Sequence, residues 1–289
     1  MKALVVGAGG QLGRELLARA PVGWHVEAAA REALDVTDAQ ATRRAVAACR
    51  PAVVVNAAGY TAVDRAESER EEAFAVNDVG AGNLARAARE AGARLLHVST
   101  DFVFDGRAGC PYRPGDPANP LGTYGASKAA GERRVLDASG GDAIVVRTAW
   151  LYSAHGSNFV RTMLGLMATR DEVRVVADQV GTPTWAPTLA DALWRLAALD
   201  GARGIFHCTD AGVASWYDLA VAIQEEALTL GVLDRTVPVR PVATREYPTP
   251  AARPAYSVLD KSDLWAATGE TPAHWRVSLR RMLQGVARA

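Results

Sequence analysis

Short apolar runs and long alanine-rich amphipathic stretches alternate through the first half of the chain. The runs are apolar at nearly every position, which is typical of strands buried on both faces of a sheet. The stretches between them carry apolar residues at helical spacing. This pattern predicts strands at 3–6, 25–30, 52–55, 94–99 and 143–147 and helices at 11–20, 38–49, 67–92 and 120–138.

The order βαβαβαβαβ favours a parallel sheet, because parallel neighbours need a crossover connection and the helices then cover both faces. Thr37 or Asp38 is expected to cap the helix that begins at 38. Asn119 is expected to cap the helix at 120, with Pro120 in its first turn. We therefore predict an α/β fold, a Rossmann-like doubly wound parallel sheet with a smaller C-terminal substrate lobe.

The second half of the chain is less regular. Helices are predicted at 158–169, 188–199 and 216–230 and strands at 173–177 and 204–208, before the proline-rich stretch RPVATREYPTPAARPAY. We interpret this half as completing the sheet and building a lobe over a cleft. The predicted dinucleotide-binding domain is 1–147 plus about 177–208, and the substrate-binding lobe is about 148–176 plus 209–289.

Composition narrows the class of protein. The 289 residues carry 32 acidic and 32 basic side chains, and this balance gives no general attraction to nucleic acid or to an anionic membrane. Three cysteines without a CxxC spacing argue for a reducing compartment. No run of about 18 apolar residues occurs, and the five histidines are scattered. We expect a cytoplasmic protein that binds neither nucleic acid nor membrane and has no protein metal site.

The stretch GAGGQLG joins the first predicted strand to the first predicted helix. Gly7 permits a tight turn, Gly10 lets a phosphate approach the backbone, and Gly13 allows close helix–strand packing. A pyrophosphate would then lie at the helix N-terminus, where free N–H groups and the helix dipole favour an anion. The strand–turn–helix context predicts a dinucleotide site.

The residues after the second predicted strand indicate which dinucleotide binds. An acid there would bond the adenosine ribose, whereas a base would accept the extra phosphate of NADP. The sequence places Arg31 there with no acid before it, and Asp35 and Val36 would flank the adenine. This arrangement favours NADPH, with NADH as the alternative if Arg31 is only a surface arginine.

Tyr124 and Lys128 are four residues apart in a predicted helix and therefore lie on one face. Arginine accounts for 29 of the 32 basic side chains, and the lysines are Lys2, Lys128 and Lys261. An ammonium beside a tyrosine lowers the pKa of the phenol and suits it to proton transfer. Lysine is also a compact charge that can hold ribose hydroxyls, whereas arginine is a flat fork. The pair predicts acid–base catalysis beside a cofactor.

Polar residues follow the fourth predicted strand, in the sequence HVSTDFVFDG. Ligands bind at the carboxyl ends of parallel strands, so Ser99, Thr100 and Asp101 are candidates for substrate contact. The Thr100 hydroxyl could bond a substrate carbonyl oxygen. Asn56 ends the third strand in the same way, and Asn77 could hold water or backbone near Lys128.

These motifs together resemble the extended short-chain dehydrogenase/reductase family, and within it the members that act on nucleotide sugars. The resemblance covers nearly the whole chain through GAGGQLG, NAAGYTAVDRAE, HVSTDFVFDG, the Tyr124–Lys128 pair, RTAWLYS and YPTPAARP. It implies Thr100, Tyr124 and Lys128 as the catalytic set, with Tyr124 as proton donor. It implies cofactor contacts by Gly10, Gln11, Leu12, Asp35, Val36, Ala57, Ala58 and Thr61, and sugar contacts by Thr100, Asp101 and Trp150. We add Arg253 as a diphosphate or nucleotide contact, because its fork suits phosphate.

The resemblance implies hydride transfer from NADPH to C4 of dTDP-4-dehydro-L-rhamnose, which yields dTDP-L-rhamnose, a precursor of surface polysaccharides. Some members of the family are magnesium-dependent dimers, and Glu15 could serve such a site. Pro187, however, stands where a further acid would be wanted. A magnesium site and a homodimer therefore stay open, and no metal ligand is assigned.

Two alternatives remain. The chain could be another nucleotide-sugar enzyme of this fold, such as a 4-epimerase; a dehydratase would want an acid where Phe102 stands. It could also be a non-catalytic, cofactor-holding regulatory subunit of a methionine adenosyltransferase-like partner. The complete set of Thr100, Tyr124 and Lys128 argues against a regulatory subunit.

Overall fold

Six of the apolar runs form one parallel sheet in the computed structural model, which describes residues 1–287. The strands in chain order are β1 (Lys2–Val6), β2 (His25–Ala29), β3 (Val53–Asn56), β4 (Arg94–Thr100), β5 (Ile144–Thr148), β6 (Leu151–Tyr152), β7 (Val173–Val176), β8 (Val180–Gly181), β9 (Thr184–Trp185), β10 (Gly204–His207), β11 (Ala214–Ser215) and β12 (Val239–Val242). The helices are α1 (Gln11–Ala18), α2 (Ala39–Cys49), α3 (Arg70–Phe74), α4 (Ala81–Glu90), α5 (Thr123–Ser139), α6 (Phe159–Thr169), α7 (Ala186–Ala198), α8 (Trp216–Thr229), α9 (Ser262–Thr268) and α10 (Trp275–Ala287).

The central sheet has the strand order β10-β5-β4-β3-β1-β2, with every neighbouring pair parallel. The predicted α/β fold with a parallel sheet is confirmed. The chain passes from β1 out to β2 and then returns to the other side of β1 at β3. The switch point therefore lies between β1 and β3, where the carboxyl ends of the strands leave a crevice.

Both faces of the sheet are buried, because successive side chains of a strand point to opposite sides. In β1, Ala3 and Val5 pack with α1 and α7 residues, and Leu4 and Val6 pack with α2 and α4 residues. A third core, around Met167 and residues of α8 and α10, belongs to the second half of the chain. One apolar cluster thus covers each face of the sheet, and a third supports the lobe beside it.

The predicted long helix at 67–92 is interrupted. A 3₁₀ turn at Arg65–Glu67 precedes α3, and a π-helical segment, Ala75–Gly80, separates α3 from α4. π-Helical insertions are rare and occur often at functional sites. The insertion carries Asn77, whose side chain is turned inward to bond neighbouring elements.

The helix predicted to begin at 120 begins instead at Thr123, with Gly122 as its N-cap residue. The carboxylate of Glu67 accepts the Thr123 backbone N–H at 2.7 Å and provides the cap from a distant part of the chain. The Asn119 amide donates to Asp105 at 3.0 Å. In α2 the cap is Asp38, which accepts from the N–H groups of the second and third helical residues.

The strand predicted at 173–177 does not join the central sheet. It forms β7, which pairs in parallel with β12 in the second half of the chain. Its burial alternates, with Val173 and Val175 inside. A strand at the surface of a small lobe has one face covered, and this distinguishes it from the central strands. Within residues 1–287 no helix is long and apolar enough to cross a bilayer.

Glycine lets α5 approach its neighbours closely. A Cβ built on Gly131 would collide with the backbone oxygen of Asn77, and one on Gly125 would collide with that of Phe102. Backbone cannot yield as a flexible side chain can. The two glycines therefore set the distance between α5, the π-helical segment and the end of β4.

We expect Gly131→Ala to lower the free energy of unfolding by about 1–3 kcal/mol, because the added methyl forces two backbones apart. Gly165→Ala is the matched control, since its Cβ would meet nothing within 4 Å in the exposed face of α6. That change should raise stability by about 0.5–1 kcal/mol through helix propensity. Urea unfolding of both variants measures the difference, and equal stability of the two would contradict this account.

Candidate active site

A cavity of about 540 Å³ lies at the carboxyl ends of β1, β2 and β3, at the switch point of the sheet. Its floor is the glycine turn after β1, and its walls are the segments that follow β2 and β3. The lining residues include Gly7, Gly10, Arg31, Asp35, Val36, Ala57 and Ala58. Seven of the residues predicted to contact a cofactor therefore share one cavity.

The glycine turn is shaped by close backbone contacts. Gly7 has φ +84°, and a Cβ on it would lie 2.5 Å from the Ala58 nitrogen. A Cβ on Gly13 would collide with the Gly7 oxygen. Helix α1 begins after Gly10 without a side-chain cap or an acid in its first turn. Its first N–H groups are therefore available to an anion, which fits a pyrophosphate.

Six residues predicted to contact cofactor lie outside this lining: Gln11, Leu12, Gly13, Thr61, Tyr124 and Lys128. Leu12 is buried in the core beneath the turn. Gln11 reaches the second half of the chain, where its Oε1 accepts from Asn158 at 2.9 Å. Thr61 is exposed, one residue beyond the Tyr60 that lines the cavity.

The part of the cavity wall that follows β2 carries one cationic side chain, Arg31. The Arg31 side chain is 81% exposed, and its guanidinium lies 3.4 Å from Glu72. Asp35 accepts from the backbone and the hydroxyl of Thr37, and these bonds lower the pKa of its carboxyl. The Asp35 carboxylate is thus already hydrogen-bonded to Thr37, whereas the Arg31 guanidinium faces solvent at the cavity wall.

Thr100, Asp101 and Tyr124 meet at the carboxyl end of β4. Thr100 accepts the Phe102 N–H at 3.2 Å and donates its hydroxyl to Asp101 at 3.1 Å. The Tyr124 ring lies edge-on against Phe102, with centroids 5.5 Å apart. Helix α5 thereby places a phenol beside a hydroxyl and a carboxylate.

Burial raises the pKa of Tyr124 to about 12; the Thr100 hydroxyl lowers it and the charge of Asp101 raises it further. The expectation that Lys128 lowers the pKa of this phenol is therefore wrong for this structure. Desolvation disfavours the phenolate more than its neighbours stabilise it. Tyr124 is held as a neutral phenol, the form that can donate a proton.

Lys128 is 4% exposed and lies beneath α5 against β4. Its Nζ donates to the Val98 carbonyl at 2.6 Å and lies 3.4 Å from His97 Nε2. Burial lowers the pKa of the ammonium to about 8, while the charge of Glu132 acts to raise it. Gly59, at the cavity wall, would bring a Cβ to 4.0 Å from Nζ. The lysine thus lies at the inner edge of the cavity.

Asn77 connects α5 to the cavity wall. Its Oδ1 accepts the Tyr60 N–H at 2.8 Å, and its Nδ2 donates to the Ser127 hydroxyl at 2.9 Å. The sequence predicted that Asn77 would hold water or backbone near Lys128, and the structure gives it backbone and a hydroxyl. The π-helical segment turns this side chain inward.

A buried ion pair supports α5 from below. Glu132 and Arg147 are each 4% exposed and form two hydrogen bonds, at 2.9 and 2.7 Å. The Ser99 hydroxyl also donates to Glu132. The carboxylate therefore has three donors, which a buried charge requires. It joins α5 to the last residues of β4 and β5.

Asp101 has an unusual environment. Burial raises the pKa of its carboxyl to about 6, against the lowering influence of the Ser257 and Thr100 hydroxyls. Within residues 1–287 its Oδ2 has no hydrogen-bond partner. An unpaired buried acceptor beside Tyr124 is suited to a hydroxyl of a bound substrate.

Trp150 lies in the short connection between β5 and β6. It has φ +46°, in the left-handed region that a bulky residue rarely adopts. Its ring stacks on Trp216 with centroids 3.6 Å apart, and a Cβ on Gly181 would lie 2.7 Å from it. Strained conformations of this kind cluster at ligand sites.

A second cavity, of about 360 Å³, extends beyond this stack. It is lined by aromatic and aliphatic side chains of the second half of the chain, including Phe159 and Trp216, and by Arg174 and Arg253. The Arg253 fork is engaged with Asp64, at 3.0 and 2.8 Å. Arg253 therefore anchors the proline-rich loop while it borders the cavity.

Sequence reasoning missed four supporting side chains. Glu67 caps α5, Asp64 holds Arg253, and Glu132 pairs with Arg147. Each partner lies far away in the sequence, so no local spacing indicates the pair. Only the acid-rich end of NAAGYTAVDRAE, which holds Asp64 and Glu67, was visible as a signal.

Comparisons with known proteins agree with this geometry. A family described as RmlD substrate binding domain matches residues 1–288. A dTDP-4-dehydrorhamnose reductase of Streptomyces griseus is 50% identical over 285 residues, which cover 96% of this chain and 91% of that protein.

Solved structures give the same result. A dTDP-4-dehydrorhamnose reductase from Clostridium acetobutylicum has a TM-score of 0.93 at 41% identity and covers 99% of both chains. A second reductase of that name, from Bacillus anthracis in complex with NADP, has a TM-score of 0.91 at 34% identity, covering 97% of this chain and 98% of that one.

We expect Glu132→Gln to lower the free energy of unfolding by about 3–5 kcal/mol, because it leaves the Arg147 charge buried without a counter-charge. Glu172→Gln is the matched control, since Glu172 pairs with Arg240 at the surface and should change stability by less than about 1 kcal/mol. Urea denaturation monitored by circular dichroism compares them. A stable Glu132→Gln protein would show that the pair does not hold α5 in place.

Proposed function

Because the chain belongs to the family described as RmlD substrate binding domain, we propose that it reduces the 4-keto group of dTDP-4-dehydro-L-rhamnose with NADPH. The product is dTDP-L-rhamnose. The observation that carries the proposal is the meeting of Thr100, Asp101 and Tyr124 at the carboxyl end of β4, beside the cavity that contains the glycine turn. A proton donor, a carbonyl ligand and a dinucleotide site then share one edge of the sheet.

The cavity residues fit a dinucleotide. Its volume, the uncapped start of α1 and the absence of a side chain at Gly7 and Gly10 suit a pyrophosphate. Arg31 would bind the 2′-phosphate of NADPH, since its guanidinium is exposed at the wall. Lys128, at the inner edge, would hold ribose hydroxyls through Nζ. The bound reduced nicotinamide supplies the hydride.

Tyr124 acts as the general acid. Its phenol is neutral at working pH, because burial raises its pKa to about 12. The hydroxyl would donate to the carbonyl oxygen in the ground state and transfer its proton as negative charge develops there. The Thr100 hydroxyl would hold the same oxygen and fix its direction.

Asp101 and Trp150 orient the sugar. The unpaired Oδ2 of Asp101 would accept a hydrogen bond from a sugar hydroxyl. That bond would offset the desolvation free energy of an acceptor buried without a partner. The Trp150 ring, held against Trp216, would provide an apolar face to the ring of the sugar. The cavity lined by Phe159, Arg174 and Arg253 would take the nucleotide, with the arginines near its phosphates.

Other assignments are less well supported. A regulatory subunit would not need a half-buried phenol beside a carboxylate oxygen that has no partner. A 4-epimerase would use the same pair of side chains, but relatives that are 50% and 41% identical are named dTDP-4-dehydrorhamnose reductase, which favours the reductase. The two-domain division, a cytoplasmic location and a homodimer remain predictions. Glu15, on α1 near Arg19 and Asp191, remains open as a magnesium ligand.

The purified protein should oxidise NADPH when dTDP-4-dehydrorhamnose is added, which the absorbance of reduced nicotinamide measures. Tyr124→Phe should lower turnover by about 10²–10⁴-fold, because it removes the proton donor, and should leave NADPH binding unchanged. Tyr217→Phe, in the core around α8, is the matched control and should keep its activity. Wild-type protein that oxidises no NADPH with this substrate, or an active Tyr124→Phe, would overturn the proposal.

Arg31→Ala should weaken NADPH binding by about tenfold, which corresponds to about 1.4 kcal/mol, and leave NADH binding unchanged. The reason is that only NADPH carries the extra phosphate. Nicotinamide fluorescence titrations measure both affinities. Arg43 is an exposed arginine of α2 that pairs with Glu90 and does not line the cavity, so Arg43→Ala should alter neither affinity. Equal weakening of both dinucleotides would refute the phosphate role of Arg31.

A further inference from the structure

A buried polar chain crosses the sheet beneath the active site, and two of its members, Asn56 and His97, have no role in the mechanism described so far. It runs from Asn56, at the end of β3, through His97 in the middle of β4, to Lys128 on α5. Asn56 and His97 are 2% and 1% exposed. Buried polar groups of this kind need defined donors and acceptors, so the direction of each hydrogen bond can be worked out.

The Asn56 amide has one allowed orientation. The Ala58 N–H donates to Asn56 Oδ1 at 3.1 Å. A backbone N–H can only donate, so the atom that faces it must be the amide oxygen. The amide NH₂ is then the group that faces His97, at 2.9 Å from Nδ1.

This orientation fixes the tautomer of His97. The Asn56 NH₂ donates, and therefore His97 Nδ1 must accept and carries no proton. Desolvation by burial, with the charge of Lys128 nearby, holds the pKa of His97 well below its usual range, so the imidazole is neutral. A neutral imidazole has one N–H, and it must be on Nε2.

His97 Nε2–H thus faces Lys128 Nζ at 3.4 Å. An ammonium only donates, so two donors oppose each other when Lys128 is charged. The uncharged amine has a lone pair and can accept the Nε2–H. The Val98 carbonyl accepts from Nζ in either form.

The remaining charged and titratable groups around Lys128 do not reverse this preference. On its own helix, Glu132 favours the ammonium, but that carboxylate is neutralised by Arg147 from β5. Tyr124 is a neutral phenol. Asp101 follows β4 and lies beside the phenol, and Asp78 of the π-helical segment is paired with Arg134.

We propose that His97 is a positioning residue that donates its Nε2–H to the uncharged amine of Lys128, so that Lys128 can release the proton that restores Tyr124. This inference rests on the proposed reductase function. The imidazole keeps its own proton throughout and only stabilises one form of the neighbouring lysine.

The proton balance is as follows for the reduction. The hydride forms the new C–H bond at the carbonyl carbon, and the oxygen takes the proton of the Tyr124 hydroxyl. The Tyr124 oxygen then takes a proton from the Lys128 ammonium, whose nitrogen keeps the electron pair. That lone pair accepts the His97 Nε2–H until water returns a proton to Lys128. One hydride and one proton are consumed in each turnover.

The chain allows a direct test, because it contains three lysines. Protein labelled with ¹³C at lysine Cε should give three signals, and Lys128→Met identifies the one from Lys128. Each signal reports the protonation of its amine as pH is raised. In His97→Phe the titration of Lys128 should move up by about one pH unit, because the opposing donor is removed. An unchanged or lower midpoint would overturn the proposal.

Lys2 and Lys261 are internal controls in the same spectra. Lys2 pairs with Glu27 near the protein surface, and Lys261 lies over Trp265 in another part of the fold. Both midpoints should stay constant in His97→Phe. A parallel movement of Lys261 would indicate a general structural change and would count against a specific role of His97.

A measurement on the unaltered protein does not depend on a variant that folds. Long-range ¹H–¹⁵N correlation spectra of labelled histidine distinguish the two tautomers. His97 should show a protonated Nε2 and an unprotonated Nδ1. The opposite tautomer would overturn the proposal, since Nε2 would then accept from the ammonium.

Activity supplies a separate readout. The alkaline limb of the pH profile of kcat should move up with the Lys128 midpoint in His97→Phe, and a merely structural role of His97 would lower kcat at every pH. The spectra need no substrate. Failure of the reductase assay would therefore leave the tautomer and the lysine midpoint as tests of His97 alone.

Discussion

Close contact between the backbone of α5 and two neighbouring segments is the constraint on which the site depends. Gly125 lies against the Phe102 carbonyl, and Gly131 lies against the Asn77 carbonyl. A helix held at this distance brings Tyr124 onto the end of β4 and Lys128 beneath it. The same contact buries Lys128 and half-buries Tyr124, and this desolvation raises the pKa of the phenol and lowers that of the ammonium. One packing distance thus determines both positions and both protonation states.

Holding a helix so close to a sheet requires compensation for the polar groups that it covers. The Glu132–Arg147 pair, the Asn77 amide and the Asn56–His97 contact each satisfy buried donors and acceptors under or beside α5. Such pairs gain little over an apolar filling, because desolvation offsets most of their attraction. These contacts are directional: Glu132–Arg147 joins α5 to β5, Asn77 joins α5 to the π-helical segment, and Asn56–His97 joins β3 to β4.

Much of the fold followed from the sequence. Apolar runs separated by amphipathic stretches predicted the parallel sheet, and the glycine spacing placed the turn that lines the larger cavity. The proposed catalytic pair was predicted because Tyr124 and Lys128 are one helical turn apart.

The rest depends on contacts between residues that are far apart in the chain. The cap of α5 comes from Glu67. The π-helical segment around Asn77 has no sequence pattern that distinguishes it from the α-helix on either side. The raised pKa of Tyr124 reflects desolvation by neighbours that only the folded chain assembles. Local spacing therefore singles out Tyr124 and Lys128 as candidates but does not give their charge states.

The stack of Trp150 on Trp216 has a spectroscopic consequence. Trp150 packs against the apolar cluster around Phe104 and also against the core of the second half of the chain, to which Trp216 belongs. Two indoles with ring centroids 3.6 Å apart and planes 8° from parallel couple their electronic transitions. Any movement that separates the Trp150 ring from the Trp216 ring must change that coupling. A change in the distance or angle between Trp150 and Trp216 would therefore alter the near-ultraviolet circular dichroism of the protein without an added label.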